Sequence, residues 1–154
     1  MAGKVYTEIY RLNLNWLIPR TCLIKPPAEA TALRPDIIVL DRAKPSREPL
    51  WQREPIICNG ATIKFVAEVV STNWQDDYAR KVEEYAFLEI QEYWIVDFRG
   101  LGGLEFIGSP KQPTFTVCQL VNGRYQKQQY RLKDKITSSL FPSLQLKLED
   151  LMPQ

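Results

Sequence analysis

Apolar positions in this chain fall into short runs, and proline, glycine or charge closes most of them. Residues 5–14 mix polar and apolar side chains in a way that predicts an edge strand. Trp16-Leu17-Ile18 ends at Pro19, and Thr21-Cys22-Leu23-Ile24 ends at Pro26-Pro27, where a strand ladder cannot continue. Asp36-Ile37-Ile38-Val39-Leu40-Asp41 is β-branched with polar ends and predicts a buried strand. Residues 42–59 carry Pro45, Pro49 and Pro55 around Trp51 and read as a loop, long enough to be either functional or mobile. Asn59-Gly60 marks a turn.

The clearest strand signal covers 62–70. Within it, Phe65-Val66-Ala67-Glu68-Val69-Val70-Ser71 sets one carboxylate on an apolar run. Thr72, Asn73 and Asp76 supply helix-start chemistry, and Asp76-Asp77 suits a first turn, where the helix dipole favours negative charge. The predicted helix reaches Leu88. Tyr78, Val82, Tyr85 and Ala86 share its apolar face, and Arg80 with Glu84 forms an exposed pair one turn apart. A strand follows at 93–98. Strand, helix, strand predicts parallel pairing of 62–70 with 93–98. After Gly100, Gly102 and Gly103, runs at 104–107, 115–120, 125–132 and 144–148 predict antiparallel strands, with Asn122-Gly123 as a hairpin turn. The expected fold class is α/β of the mixed α+β kind. A mixed β-sheet has a βαβ centre and antiparallel C-terminal strands, all in a single domain over residues 1–154.

Composition narrows the chemistry. With 45% apolar and 25% charged residues the chain can bury a core, and disorder is disfavoured. A net charge of +2 is too small to argue for nucleic acid by itself. No run of apolar residues is long enough for a membrane span, and no secretory signal is visible, so no membrane partner and a cytoplasmic location are expected. Cys22, Cys58 and Cys118 are widely spaced and odd in number, which predicts free thiols. There is no histidine. Histidine bases and histidine-containing zinc sites are excluded, and any metal would be held by oxygens, as magnesium or manganese is.

Asp36 opens one strand and Glu68 lies near the end of another. Alternation puts Glu68 on the face of Lys64 and Val66, opposite Phe65, Ala67 and Val69. A carboxylate there is either paired with a lysine or, together with Asp36, a ligand for one divalent cation. Asp77, Lys81 and Tyr85 recur every four residues along the helix. Lys81 can point at Glu68 and assist phosphoryl chemistry, or it can form an ordinary ion pair with Asp77. Trp51 and Trp74 either stack on bases or cover the core. Lys127, Arg131, Lys133 and Lys135 read as a solvated strand face more readily than as a phosphate patch.

In combination these residues resemble a known family. Arg34-Pro35-Asp36, then Phe65 to Ser71, then Asp77 with Lys81 and Tyr85, then Glu92-Tyr93-Trp94-Ile95-Val96-Asp97 are similar to the Uma2 family, also called DUF820. Its members are assigned as restriction-type endonucleases and are abundant in cyanobacteria. Pro142-Ser143-Leu144-Gln145-Leu146 looks like the family's usual ending. The resemblance is firmest over 34–97. It implies a restriction-endonuclease-like core of the PD-(D/E)XK nuclease superfamily and a Mg2+-dependent (or Mn2+-dependent) endodeoxyribonuclease acting on DNA. Asp36 stands at the family's aspartate and Glu68 at the acidic position of its second motif, which implies that both bind the metal. Val70 occupies the position where the superfamily pattern has lysine. The resemblance moves that lysine onto the following helix, as Lys81, completing the catalytic set Asp36, Glu68 and Lys81.

The chain departs from the family before Asp36. Members usually carry a glutamate-glycine segment and one or two helices there. These 35 residues instead read as strands and turns, and neither Glu8 nor Glu29 sits in the expected context. A missing helix would leave one apolar sheet face bare, which predicts that a partner subunit covers it in a homodimer. The alternative to a working nuclease is then a catalytically inactive protein of the same fold that dimerises or binds nucleic acid.

Overall fold

In the computed structural model, which describes residues 1–26 and 31–153, the chain folds as a mixed α/β structure around one six-stranded sheet. Helix α1 (Ala2–Arg11) comes first, followed by β1 (Trp16–Leu17), β2 (Leu23–Ile24), β3 (Ile37–Asp41), β4 (Ile56–Ile57) and β5 (Ile63–Val69). A helix then spans 74–87, its first part π-helical over Asp76–Arg80 and its second part α2 (Lys81–Phe87). Then come β6 (Glu92–Asp97), α3 (Leu104–Ile107), β7 (Thr114–Val121) and β8 (Arg124–Tyr130). Strand order is β1-β3-β5-β6-β7-β8, with β2 and β4 paired in a separate parallel ribbon. Pro27 and Glu29 lie outside the described residues.

The expected βαβ centre is present. β5 and β6 pair in parallel, Glu68 opposite Ile95, and the other neighbours in the sheet are antiparallel. Both faces of β5 and β6 are covered, which is why these strands read as nearly continuous apolar runs. On one face Val66, Tyr93 and Ile95 pack with Tyr78, Tyr85 and Leu88 of the helix. On the other, Phe65, Ala67, Trp94 and Val96 pack with Val5 and Ile9 of α1 and with Phe141, Leu144 and Leu146.

Helix α1 corrects the edge strand expected over 5–14. Val5, Glu8 and Ile9 are its buried residues, a stripe at helical spacing. The helix ends in a Schellman motif: Asn13 takes φ 51°, its N–H reaches the Tyr10 carbonyl, and the Leu14 N–H reaches that of Ile9. Glu8 accepts a hydrogen bond from the Ser143 hydroxyl at 2.7 Å, tying α1 to the C-terminal segment. The apolar face expected to lie bare is therefore covered by the chain itself, which removes the physical reason given for a homodimer.

Other differences are local. Residues 104–107 form a short helix between Gly103 and Gly108, not a strand. Residues 144–148 make no strand either; an isolated bridge pairs Lys135 with Lys147 and a 3-10 turn follows. Lys64 does not share the face of Glu68. Val39 pairs with Phe65 and Leu40 with Ile63, so Lys64 is the extra residue of a bulge, and its amine lies over the Trp16 ring. Asn122-Gly123 does make the β7–β8 turn, with φ positive at both residues as a two-residue hairpin loop demands.

Buried carboxylates lock the connections. Glu48 accepts from the Cys58 and Asn59 N–H groups, the Asn59 amide and the Thr62 hydroxyl, which orders the long loop at 42–59. Glu92, fully buried on β6, accepts from the Trp94 indole, Gln119, the Ser138 hydroxyl, and both the N–H and the hydroxyl of Ser139. Asp97 accepts from the Leu101 and Gly102 N–H groups and the Tyr78 hydroxyl. A side chain at Gly102 would strike the Tyr78 ring at 2.8 Å. All three cysteines are free thiols, and burial pushes Cys22 and Cys118 up to about 12. Glu92→Ala strands several buried donors at once, so the urea midpoint should fall by the equivalent of about 2–4 kcal/mol with an unchanged m-value, and an unchanged midpoint would refute the clasp.

Candidate active site

Asp36 sits one residue before β3, where Pro35 fixes the approach of the chain. Ile37 pairs with Ala67, so one more step of the same antiparallel register sets Asp36 across from Glu68. Residues directly opposite on antiparallel strands present their side chains to the same face. Asp36 is exposed, and its Oδ2 accepts a hydrogen bond from the Val69 N–H at 2.7 Å.

Glu68 is 2% exposed. Its Oε1 accepts from the Tyr85 hydroxyl at 2.8 Å, and its Oε2 lies 3.3 Å from the Lys81 amine. Burial pushes the carboxyl up to about 7, against the opposing pull of Lys81 and of the Tyr85 hydrogen bond; the charges of Asp36 and Asp77 add to the rise. Lys81 also donates to Asp77 Oδ1 at 2.9 Å. Burial works to lower the lysine, but Glu68 and Asp77 overcome it and hold the amine above its ordinary value. Asp77 is buried, which raises it despite its bond to Lys81. The two alternatives for Lys81 thus coincide: it pairs with Asp77 and reaches Glu68.

The π-helical turn makes that convergence possible. The Lys81 N–H bonds the Asp76 carbonyl five residues back, which widens the helix where Asp77 and Lys81 face the sheet. The Tyr93 hydroxyl anchors the turn by donating to the Asp77 carbonyl at 2.8 Å. The Tyr85 and Tyr93 rings meet edge to face. Asp77 and Tyr85 are the site residues that sequence reasoning left outside the catalytic set. Their spacing with Lys81 was the available signal; the π turn left none.

These groups open onto a cleft of about 270 Å³ lined also by Arg34, Ser71, Asn73 and Asp76. Its lining carries four carboxylates and two cations, an excess of two negative charges that suits a divalent cation. Among the described residues no group of three or more histidine, cysteine, aspartate or glutamate side chains is arranged around a common metal position. Magnesium does not require one: it is commonly bound through one or two carboxylates, water and substrate phosphate. Asp36 and Glu68, all-oxygen donors on adjacent strands, fit that mode.

The remaining candidates lie elsewhere. Val70 is buried in the helix-side core. Trp51 and Trp74 are half-buried covers of that same core. Arg131 donates to the Ile107 carbonyl and to Thr114, and Lys127 lies over the Phe106 ring, so both are engaged within the protein. Glu8 is on the opposite face of the sheet from Glu68, packed with α1. No helix among the described residues is long and apolar enough to cross a membrane.

Comparison with known proteins places the fold and the family. A crystal structure described as "a putative nuclease belonging to DUF820", from Anabaena variabilis ATCC 29413, shares the fold with TM-score 0.66 and 14% identity, covering 97% of this chain and 74% of that one. No curated protein matches. The sequence model of the Uma2 family, described as "Putative restriction endonuclease", matches residues 3–149. A match over nearly the whole chain is decisive: this protein belongs to the Uma2 family.

Proposed function

We propose that this protein is an endodeoxyribonuclease that hydrolyses DNA phosphodiester bonds with Mg2+ or Mn2+ held by Asp36 and Glu68. The observation that carries the reading is the inward pairing of Lys81 with Glu68 and Asp77, beside Asp36, in an open acidic cleft. A bound divalent cation supplies Lewis acidity, polarising a phosphoryl oxygen and easing deprotonation of water. Asp36 and Glu68 position it. Tyr85 fixes the orientation of the Glu68 carboxylate by donating to Oε1. Lys81, held as a cation, serves as a donor to the phosphoryl oxygens and not as a base.

A second reading, an inactive protein of the same fold, has one observation in its favour. The side chains of Lys81, Asp77, Tyr85 and Glu68 satisfy one another without any ligand, as a structural network would.

Plasmid cleavage with magnesium or manganese separates the two. Wild type should nick or linearise the plasmid, while Glu68→Ala and Asp36→Ala lose about 10²-fold or more, and Lys81→Met loses a comparable amount, in line with the loss of one preorganised donor. Equal cutting by all four proteins would mark a contaminant, and no cutting by any would leave the inactive reading. Tyr85→Phe should keep activity but raise the metal concentration for half-maximal cleavage by about 10–100-fold. An unchanged requirement would show that the hydroxyl does not support the ligand.

The pH dependence of stability has a defined sign. Glu68 binds its proton more tightly folded than unfolded, so its contribution is fully present below the ordinary value of 4.5 and is lost as pH rises through about 7. In metal-free urea titrations, wild type should therefore lose stability relative to Glu68→Gln across that window. Parallel profiles for the two proteins would show that Glu68 is not the titrating group.

A further inference from the structure

A groove of about 310 Å³ meets the acidic cleft at Arg34 and Asp36, which line both. Ile18, Arg20 and Cys22 also line the groove. Arg20 and Arg34 are exposed, and among the described residues no ion pair or side-chain hydrogen bond occupies either guanidinium. Arg34 is held on firm backbone: Leu33 and Ile24 exchange hydrogen bonds at 2.7 and 2.8 Å, and β3 begins three residues after Arg34. Charge is thus divided along one continuous surface, with carboxylates in the cleft and, in the adjoining groove, two guanidinium groups that have no partner among the described residues.

That division fits a ligand with repeated anionic groups. A single phosphodiester at Asp36 and Glu68 gives no use to a second arginine in the adjoining groove. Successive phosphates of a strand do, because guanidinium pairs with phosphate oxygens through two parallel hydrogen bonds. We propose that Arg20 and Arg34 form a phosphate-binding track that positions the nucleic-acid strand on one side of the bond to be cut. The identity of the ligand rests on the nuclease reading, but the track is testable without cleavage.

The test is fluorescence anisotropy with a labelled DNA duplex in calcium, with the DNA confirmed intact afterwards, over a range of salt concentrations. Arg20→Ala/Arg34→Ala should bind about tenfold more weakly at low salt, with a log–log salt slope shallower by about one for each arginine. The charge-matched pair Arg124→Ala/Lys133→Ala, on and just beyond the far edge strand β8, should bind like wild type. Thermal melts of both double variants should match wild type, since among the described residues neither arginine of the track has a partner to lose. Equal weakening by the two pairs would mean that net charge alone governs binding, and would overturn the track. Unchanged binding by Arg20→Ala/Arg34→Ala, or no binding by wild type, would overturn it too. If wild type binds as described but cuts no plasmid, the nuclease reading fails and the track stands.

Discussion

Glu68 is a carboxylate taken out of water on the central strand of a sheet covered on both faces, and its neighbours are arranged around that fact. An unpaired charge in such a place is costly, so the group either keeps its proton or finds a cation and hydrogen-bond donors. The protein does some of each. Tyr85 donates to one oxygen, Lys81 stands by the other, and burial still pushes the carboxyl up to about 7. The parallel pairing of β5 with β6 forces a crossover helix onto that face, which delivers Tyr85 and Lys81 to the strand.

Three of the other buried carboxylates, Glu48, Glu92 and Asp97, contrast with Glu68. An ionised carboxylate offers about four lone-pair sites. Glu48 meets four donors and Glu92 five, from backbone, hydroxyl, amide and indole groups. Asp97 meets three and closes a turn with them. Their acceptor capacity is filled by uncharged groups that the fold itself brings in. Glu68 has a tyrosine, a lysine at salt-bridge distance, and an open cleft shared with Asp36. Against those three, Glu68 meets fewer donors, one of its two partners is a cation, and it lines a cleft open to a hard cation.

Much of this was legible in the chain, for physical reasons. Strands β3, β5 and β6 bury both faces, and β3 and β6 are bounded by proline or charge, so their runs stand out. Asp77, Lys81 and Tyr85 keep a four-residue spacing through the helix, which let their shared face be read in advance. Helix α1 was hidden because a charged residue, Glu8, occupies its buried stripe between Val5 and Ile9, and the remaining residues imitate alternation. Asn13 was the signal, as a left-handed helix stop. The Lys64 bulge and the π turn shift register by one residue without any change in residue type, so no periodicity announces them. Glu48 was invisible because its donors, half of them backbone groups, lie ten and more residues away.

The displaced lysine follows from the same packing. Position 70 is 6% exposed within the helix-side core, so an ammonium there would sit among apolar side chains and be driven toward its neutral form. On the helix, Lys81 keeps 18% of its side chain exposed and has Asp77 beside it. Its contact with Asp77, at 2.9 Å, is shorter than its 3.3 Å contact with Glu68. A cation held by Asp36 and Glu68 would therefore compete for the weaker of the two lysine contacts. Asp77 would then retain the ammonium, leaving the Glu68 carboxylate to the metal. In this reading the third carboxylate holds the lysine, leaving Asp36 and Glu68 for the metal, and the wide π turn is the backbone feature that brings Asp77 close enough to do so.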